Sequence, residues 1–193
     1  MREIILLCAF LIPMLFILYL LAPLHTRAQP LSERAAAVSG DDFSRAFLGN
    51  CAQNVGHYRR VIDAAKALGF ADLPDSMRPL IAPKDPKAAF VGFFVQSGDG
   101  APYFLGVSKG TLNGKTIVTC AISNPYIDVK KVVSSITHFM NLKSPNEDET
   151  SMGQRYRIWR IDDVASDAFV SLTDAQPMGY GGVTIAISAP LNE

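Results

Sequence analysis

The stretch Gly106-Val107-Ser108-Lys109-Gly110 is a literal G-x-S-x-G. In α/β-hydrolases that pattern places a nucleophilic serine on a strained turn between a strand and a helix, with an acid and then a histidine later in the chain. Here Thr111-Leu112-Asn113-Gly114 follows, which is hairpin chemistry, and the only histidine downstream is His138. A strand end rich in small residues explains the same letters, so Ser108 stands as the alternative and not the leading reading. His57 and His138 have no Cys or His partner at a metal-ligand spacing, and no zinc site is expected. Glu147-Asp148-Glu149 lacks the alternating oxygen ligands of a calcium loop and reads as a solvated acidic loop. Gly179-Tyr180-Gly181-Gly182 precedes a strand, where a dinucleotide loop must follow one, and Thr111–Lys115 lacks the glycine spacing of a phosphate loop. Both read as turns. Arg155, Arg157 and Trp159 alternate along one face of a strand. Such a set can grip an anionic or planar ligand, and an ordinary amphipathic strand accounts for it equally well.

The elements that must position these residues follow from periodicity. Asp41 and Asp42 predict a helix start running through Phe43, Ala46 and Phe47 toward Cys51. Tyr58, Val61, Ile62, Ala65 and Leu68 recur at helical spacing with Arg59, Arg60, Asp63 and Lys66 opposite, and Gly69 ends the run. Four prolines make residues 71–87 mostly extended loop. Strands are predicted at 88–96, 102–108 and 115–123, the last two joined by an Asn113-Gly114 hairpin. Asn124-Pro125 reads as a cap with proline at the first helical position, followed by an apolar stripe from Val129 to Met140. Residues 143–153 read as loop, and strands at 155–162, 167–173 and 182–188 finish the chain. The order αα-βββ-α-βββ predicts an α+β fold with a mostly antiparallel sheet of five to six strands and helices packed on it. The three strands on either side of one helix hint at a repeat too weak to claim.

Residues 4–24 carry no charged side chain and, as a helix at about 1.5 Å per residue, would reach roughly 30 Å. Two readings of residues 1–28 stay open. One is a signal peptide cut before Gln29, with Thr26 and Ala28 at the small positions. The other is an N-terminal membrane anchor, a transmembrane helix, because the apolar run exceeds the usual ~7–15 residues of a signal core. Residues 29–41 then form a linker and 42–193 a single α+β domain. Both readings place that domain outside the cytoplasm, periplasmic or secreted, with residues 4–24 as the tether in the second. Export makes one disulfide the simplest use of the remaining cysteines, Cys51 and Cys120. They lie 69 positions apart, so the chain-entropy model assigns the link about 4 kcal/mol. The 18 basic and 18 acidic side chains cancel, with no basic block, which argues against a nucleic-acid binder.

A helix bearing Cys51 that leads into Ala64-Ala65-Lys66-Ala67-Leu68-Gly69-Phe70, then a strand block with Val118-Thr119-Cys120-Ala121-Ile122-Ser123 and a further helix, resembles small exported bacterial proteins of the hypothetical or lipoprotein-like kind. The resemblance spans roughly residues 43–140. It implies export and a paired Cys51 and Cys120, and it implies no catalytic residue. The chain has no usable lipobox cysteine, since Cys8 lies within the apolar run. No catalytic, cofactor-binding or metal-binding residue is assigned, and no cofactor is expected. The sequence thus predicts a non-enzymatic exported domain that binds a protein or small-molecule partner and meets the membrane through its N-terminal segment at least during export. The alternative is a small serine hydrolase using Ser108.

Overall fold

The computed structural model describes residues 40–95 and 103–192, all of them within one compact unit. The signal or anchor expected over residues 1–28 and nearly all of the linker expected over 29–41 lie outside the described residues. Two helices open the domain, α1 (Gly40–Asn50) and α2 (Tyr58–Ala67). Four strands follow: β1 (Ala71–Asp72), β2 (Ala89–Val95), β3 (Tyr103–Leu112) and β4 (Lys115–Asn124). After α3 (Val129–Phe139) come β5 (Glu147–Ser151), β6 (Gln154–Arg160), β7 (Phe169–Asp174) and β8 (Val183–Pro190). Every neighbouring pair is antiparallel, in the order β1-β2-β3-β4-β8-β7-β6-β5. Two four-stranded meanders therefore meet along β4 and β8.

The sheet has eight strands and not the expected five to six. All six predicted strands are present, and the two additions lie in segments read as loop. β1 is two residues long and pairs only with Phe93 and Phe94. β5 is Glu-Asp-Glu-Thr-Ser, exposed along its whole length, so it carries no apolar alternation to detect. It forms because Met152 and Gly153 take left-handed backbone, φ 49° and 77°, in the tight turn to β6. The Asn113-Gly114 hairpin forms as expected, with φ 51° and 76°. The helix cap expected at Asn124-Pro125 lies elsewhere. Asn124 ends β4 and accepts the Tyr126 N–H at 2.8 Å, while Asp128 caps α3 by accepting the Lys130 N–H at 2.8 Å.

The helices cover one face of the sheet. Phe43 and Phe47 of α1, Val61 and Ala65 of α2, and Val132 and Ile136 of α3 meet Phe93, Leu105, Ile122, Ile185 and Leu172, all essentially buried. The Cys51–Cys120 disulfide ties the end of α1 to β4, with a Cα–Cα distance of 5.3 Å. Ser135 of α3 donates to Asp41, fixing the start of α1 against α3.

The opposite face has a row of small residues across five strands, Gly92, Gly106, Ala121, Ala186 and Ser171. Beside it run the hydroxyl pairs Thr119–Ser188 at 2.8 Å and Ser123–Thr184 at 2.9 Å.

Among the described residues no helix is long and apolar enough to cross a membrane. The longest, α1 and α3, have 11 residues, roughly 16 Å at about 1.5 Å per residue, against about 30 Å of hydrocarbon. This corrects the transmembrane helix expected of the chain. Residues 4–24, on which that expectation rested, lie outside the described residues.

Candidate functional site

Strand β6 sends Arg155, Arg157 and Trp159 to the helix-covered face, as their alternation predicts. The aliphatic sheet core ends at β7, so the next strand outward carries charge where the inner strands carry Leu and Ile. Above it, α3 turns Val129, Val133 and Thr137 toward the same space at helical spacing. Between helix and strand lies a cleft of about 400 Å³. Lys130, Lys143, Arg155 and Arg157 line it, and Asp148 is the carboxylate among its lining residues.

The two arginines are held by crossed ion pairs. Asp148 stands opposite Arg157 in register, and Asp174 stands opposite Arg155. Each carboxylate instead takes the diagonal partner. Arg155 donates through Nε and Nη2 to the two oxygens of Asp148 at 2.7 and 2.6 Å. Arg157 Nη2 donates to Asp174 Oδ2 at 2.8 Å. The first pair is partly open to solvent, whereas the side chains of Arg157 and Asp174 are 7% and 0% exposed. Asp174 is also fixed by its second oxygen, which accepts the Gln176 N–H at 3.0 Å. Trp159 is buried, and its indole N–H donates to the Lys143 carbonyl at 2.9 Å.

Arg157 is under-served. Its Nε–H is buried without a hydrogen-bond partner. Burial pushes its guanidinium below the ordinary arginine range, the adjacent Arg155 charge adds to this, and Asp174 opposes it. The hydrogen bond from Arg155 holds the Asp148 carboxyl below the usual carboxylate value, and the same bond raises Arg155. A buried cation with spare donors, next to a cleft whose rim carries further cations, is equipped to take an anion.

The other candidate residues are dispersed. Ser108 sits within β3, in register with Phe90 and Thr119, on the face away from the helices. His57 precedes α2, with its Nε2 3.4 Å from Asn192 Nδ2, and His138 is exposed on α3. No hydrogen bond joins either histidine to Ser108, and His138 stands on a helix that covers the other face of the sheet. Among the described residues no group of three or more His, Cys, Asp or Glu is placed to hold a metal. Glu147–Glu149, expected as a solvated acidic loop, belongs to β5, and its Asp148 is committed to Arg155. Gly181 and Gly182 lie beneath Pro125; Gly182 has φ 98°, and a Cβ there would stand 2.7 Å from the Pro125 carbonyl oxygen.

Sequence reasoning found Arg155, Arg157 and Trp159 but not Lys130, Lys143, Asp148 or Asp174. The tight turn at Met152-Gly153 is the signal that would have set Asp148 beside Arg155 and Arg157. Comparison of the chain with family models, with curated proteins and with solved structures finds no match in any of the three.

Proposed function

We propose that this chain is an exported, non-enzymatic binding domain that takes an anionic small molecule in the cleft between α3 and β6. The observation that carries the reading is Arg157, which is 6% exposed, lines the cleft, and has an Nε–H without a partner. Natural structures rarely leave a buried donor of a charged group unmade, and such a group calls for an explanation. An anion in the cleft supplies an acceptor for that Nε–H, which the ion pair with Asp174 leaves unmet, and is favoured by Lys130 and Lys143 at the rim. The apolar leader of residues 4–24 and the Cys51–Cys120 disulfide support export, as does the resemblance to small exported bacterial proteins.

The test is thermal unfolding against a panel of carboxylates, phosphate and sulfate at fixed ionic strength. A ligand at about 100 times its Kd stabilises the fold by about 2.7 kcal/mol. For a chain of this size that raises the Tm by roughly 5–10 °C, at about 2–4 °C per kcal/mol. The reading requires at least one anion to do this, and requires Arg157→Met to abolish the shift. A panel of anions that leaves the Tm unmoved would overturn it.

A further inference from the structure

We infer that the ligand of this cleft is an aromatic carboxylate, its single charge held at Arg157 and its ring lying toward Trp159; this rests on the anion-binding reading above. The charges already present set the head group. Arg155 is paired with Asp148 and Arg157 with Asp174, and both oxygens of Asp148 are taken by Arg155. What remains unmet is the buried Nε–H of Arg157, and one acceptor oxygen meets it. Asp148 stands opposite Arg157 in register, so a doubly charged anion there meets about twice the repulsion that a carboxylate meets.

The two ends of the cleft differ. The Gly182 N–H donates to the Ile127 carbonyl, Val183 pairs with Asp174, and Asp174 pairs with Arg155, so α3 starts at the Arg155 end of β6. At the other end Trp159 donates to the Lys143 carbonyl. Asn146 donates its N–H to the Ile158 carbonyl at 2.7 Å and accepts the Arg160 N–H at 2.8 Å, which brings Pro145 to the Trp159 end as well. α3 and β6 therefore run the same way. From Val129 to Thr137 the helix advances roughly 12 Å and from Arg155 to Trp159 the strand advances roughly 13 Å, so Thr137 comes level with Trp159. Trp159, Thr137 and Pro145 offer a ligand apolar surface. The indole N–H is spent on Lys143 at 2.9 Å, the Thr137 hydroxyl donates to the Val133 carbonyl at 2.8 Å, and Pro145 has no N–H. Trp159 also lacks a ring partner: among the described residues no aromatic pair or cation–ring contact involves it. Arg157 and Trp159 are two residues apart on one face of β6, roughly 7 Å. A carboxylate joined to a ring spans that step, and a cleft of about 400 Å³ has room for it.

The experiment is isothermal titration calorimetry of the intact protein at low ionic strength. The probes are benzoate, its saturated counterpart cyclohexanecarboxylate, the ringless acetate and the uncharged benzamide. Benzoate is expected to bind about two- to ten-fold tighter than cyclohexanecarboxylate, the ratio one aromatic contact supplies beyond its buried area, with acetate weaker than both. Trp159→Leu is expected to bring benzoate down to the affinity of cyclohexanecarboxylate, and Trp159→Phe, which keeps a ring, to retain the preference. Should Trp159→Leu not fold, Trp159→Phe and the ratios on the unaltered protein carry the test. Cyclohexanecarboxylate binding as tightly as benzoate overturns the aromatic ligand, and acetate binding as tightly overturns any contact with a ring; either leaves the anion reading intact. A preference for benzoate that survives Trp159→Leu places the ring elsewhere and overturns the assignment in the same way. So does failure of the three acids while another anion of the wider panel binds. Benzamide binding as tightly as benzoate, or failure of all four probes together with the whole panel, overturns the underlying reading itself.

Discussion

Replacing Asp174 by leucine leaves Arg157 charged in a place where its side chain is 7% exposed and no other carboxylate bonds it. Breaking a buried ion pair from one side costs about 3–5 kcal/mol, because the surviving charge loses its partner and cannot reach water. At roughly 2–4 °C per kcal/mol for a domain of this size, the Tm should fall by about 6–20 °C. Arg157→Met should cost less, since an unpaired Asp174 keeps the Gln176 N–H as a donor. The double variant Arg157→Met/Asp174→Leu removes both charges in favour of apolar groups of similar volume. It should recover most of the loss and approach the parent, as buried pairs replaced together often do. Urea unfolding of the disulfide-intact protein, followed by far-UV circular dichroism, measures all four corners of this cycle. A single Asp174→Leu cost below about 1 kcal/mol would refute the reasoning. So would a double variant as unstable as the sum of its singles, because either result means the pair is neither buried nor coupled.

Three further outcomes follow from the same structure. Asp148 has a lowered pKa in the fold, so it adds stability above about pH 4 that is lost as pH falls through the lowered value. Asp148→Asn should flatten the acid limb of a Tm-against-pH series and, by freeing Arg155, tighten anion binding by a few-fold; an unchanged acid limb would contradict the pairing. Cys51→Ala/Cys120→Ala opens a link between positions 69 apart and should lose about 4 kcal/mol in urea unfolding, and a loss below about 1 kcal/mol would show that the link does not constrain the unfolded chain. The full chain expressed with its own leader and alkylated without reduction should give an intact mass beginning at Gln29, with Cys51 and Cys120 protected. A full-length mass with both thiols alkylated would contradict export.

What the sequence discloses depends on where the fold puts apolar side chains. The inner strands β3, β4 and β8 are buried on the helix side and fenced by turn residues, so runs such as Thr116–Ile122 and Val183–Ile187 are readable without a structure. β5 is an exposed edge whose acidic letters are the usual means of blunting an edge, and the same letters read as loop. α3 is visible by its stripe, yet its start was misplaced because Asn124 makes a local turn with Tyr126 and leaves capping to Asp128.

The site divides in the same way. Arg155, Arg157 and Trp159 share a face through simple alternation, whereas Asp174 reaches Arg157 only through the register of β6 on β7. Lys130 and Lys143 join them through the packing of α3 over the sheet, which no local spacing encodes.

The central claim is that the cleft between α3 and β6 binds an anion through Arg157. Because Trp159 is the only tryptophan and lines that cleft, its emission reports on the site without a label. The most direct measurement is a Trp159 fluorescence titration of the intact protein with whichever carboxylate, phosphate or sulfate raises the Tm most, repeated with Arg157→Met and at raised salt. The account requires a saturable change that weakens with salt and disappears in Arg157→Met. A saturable change of the same affinity in Arg157→Met would place the ligand elsewhere and contradict the account.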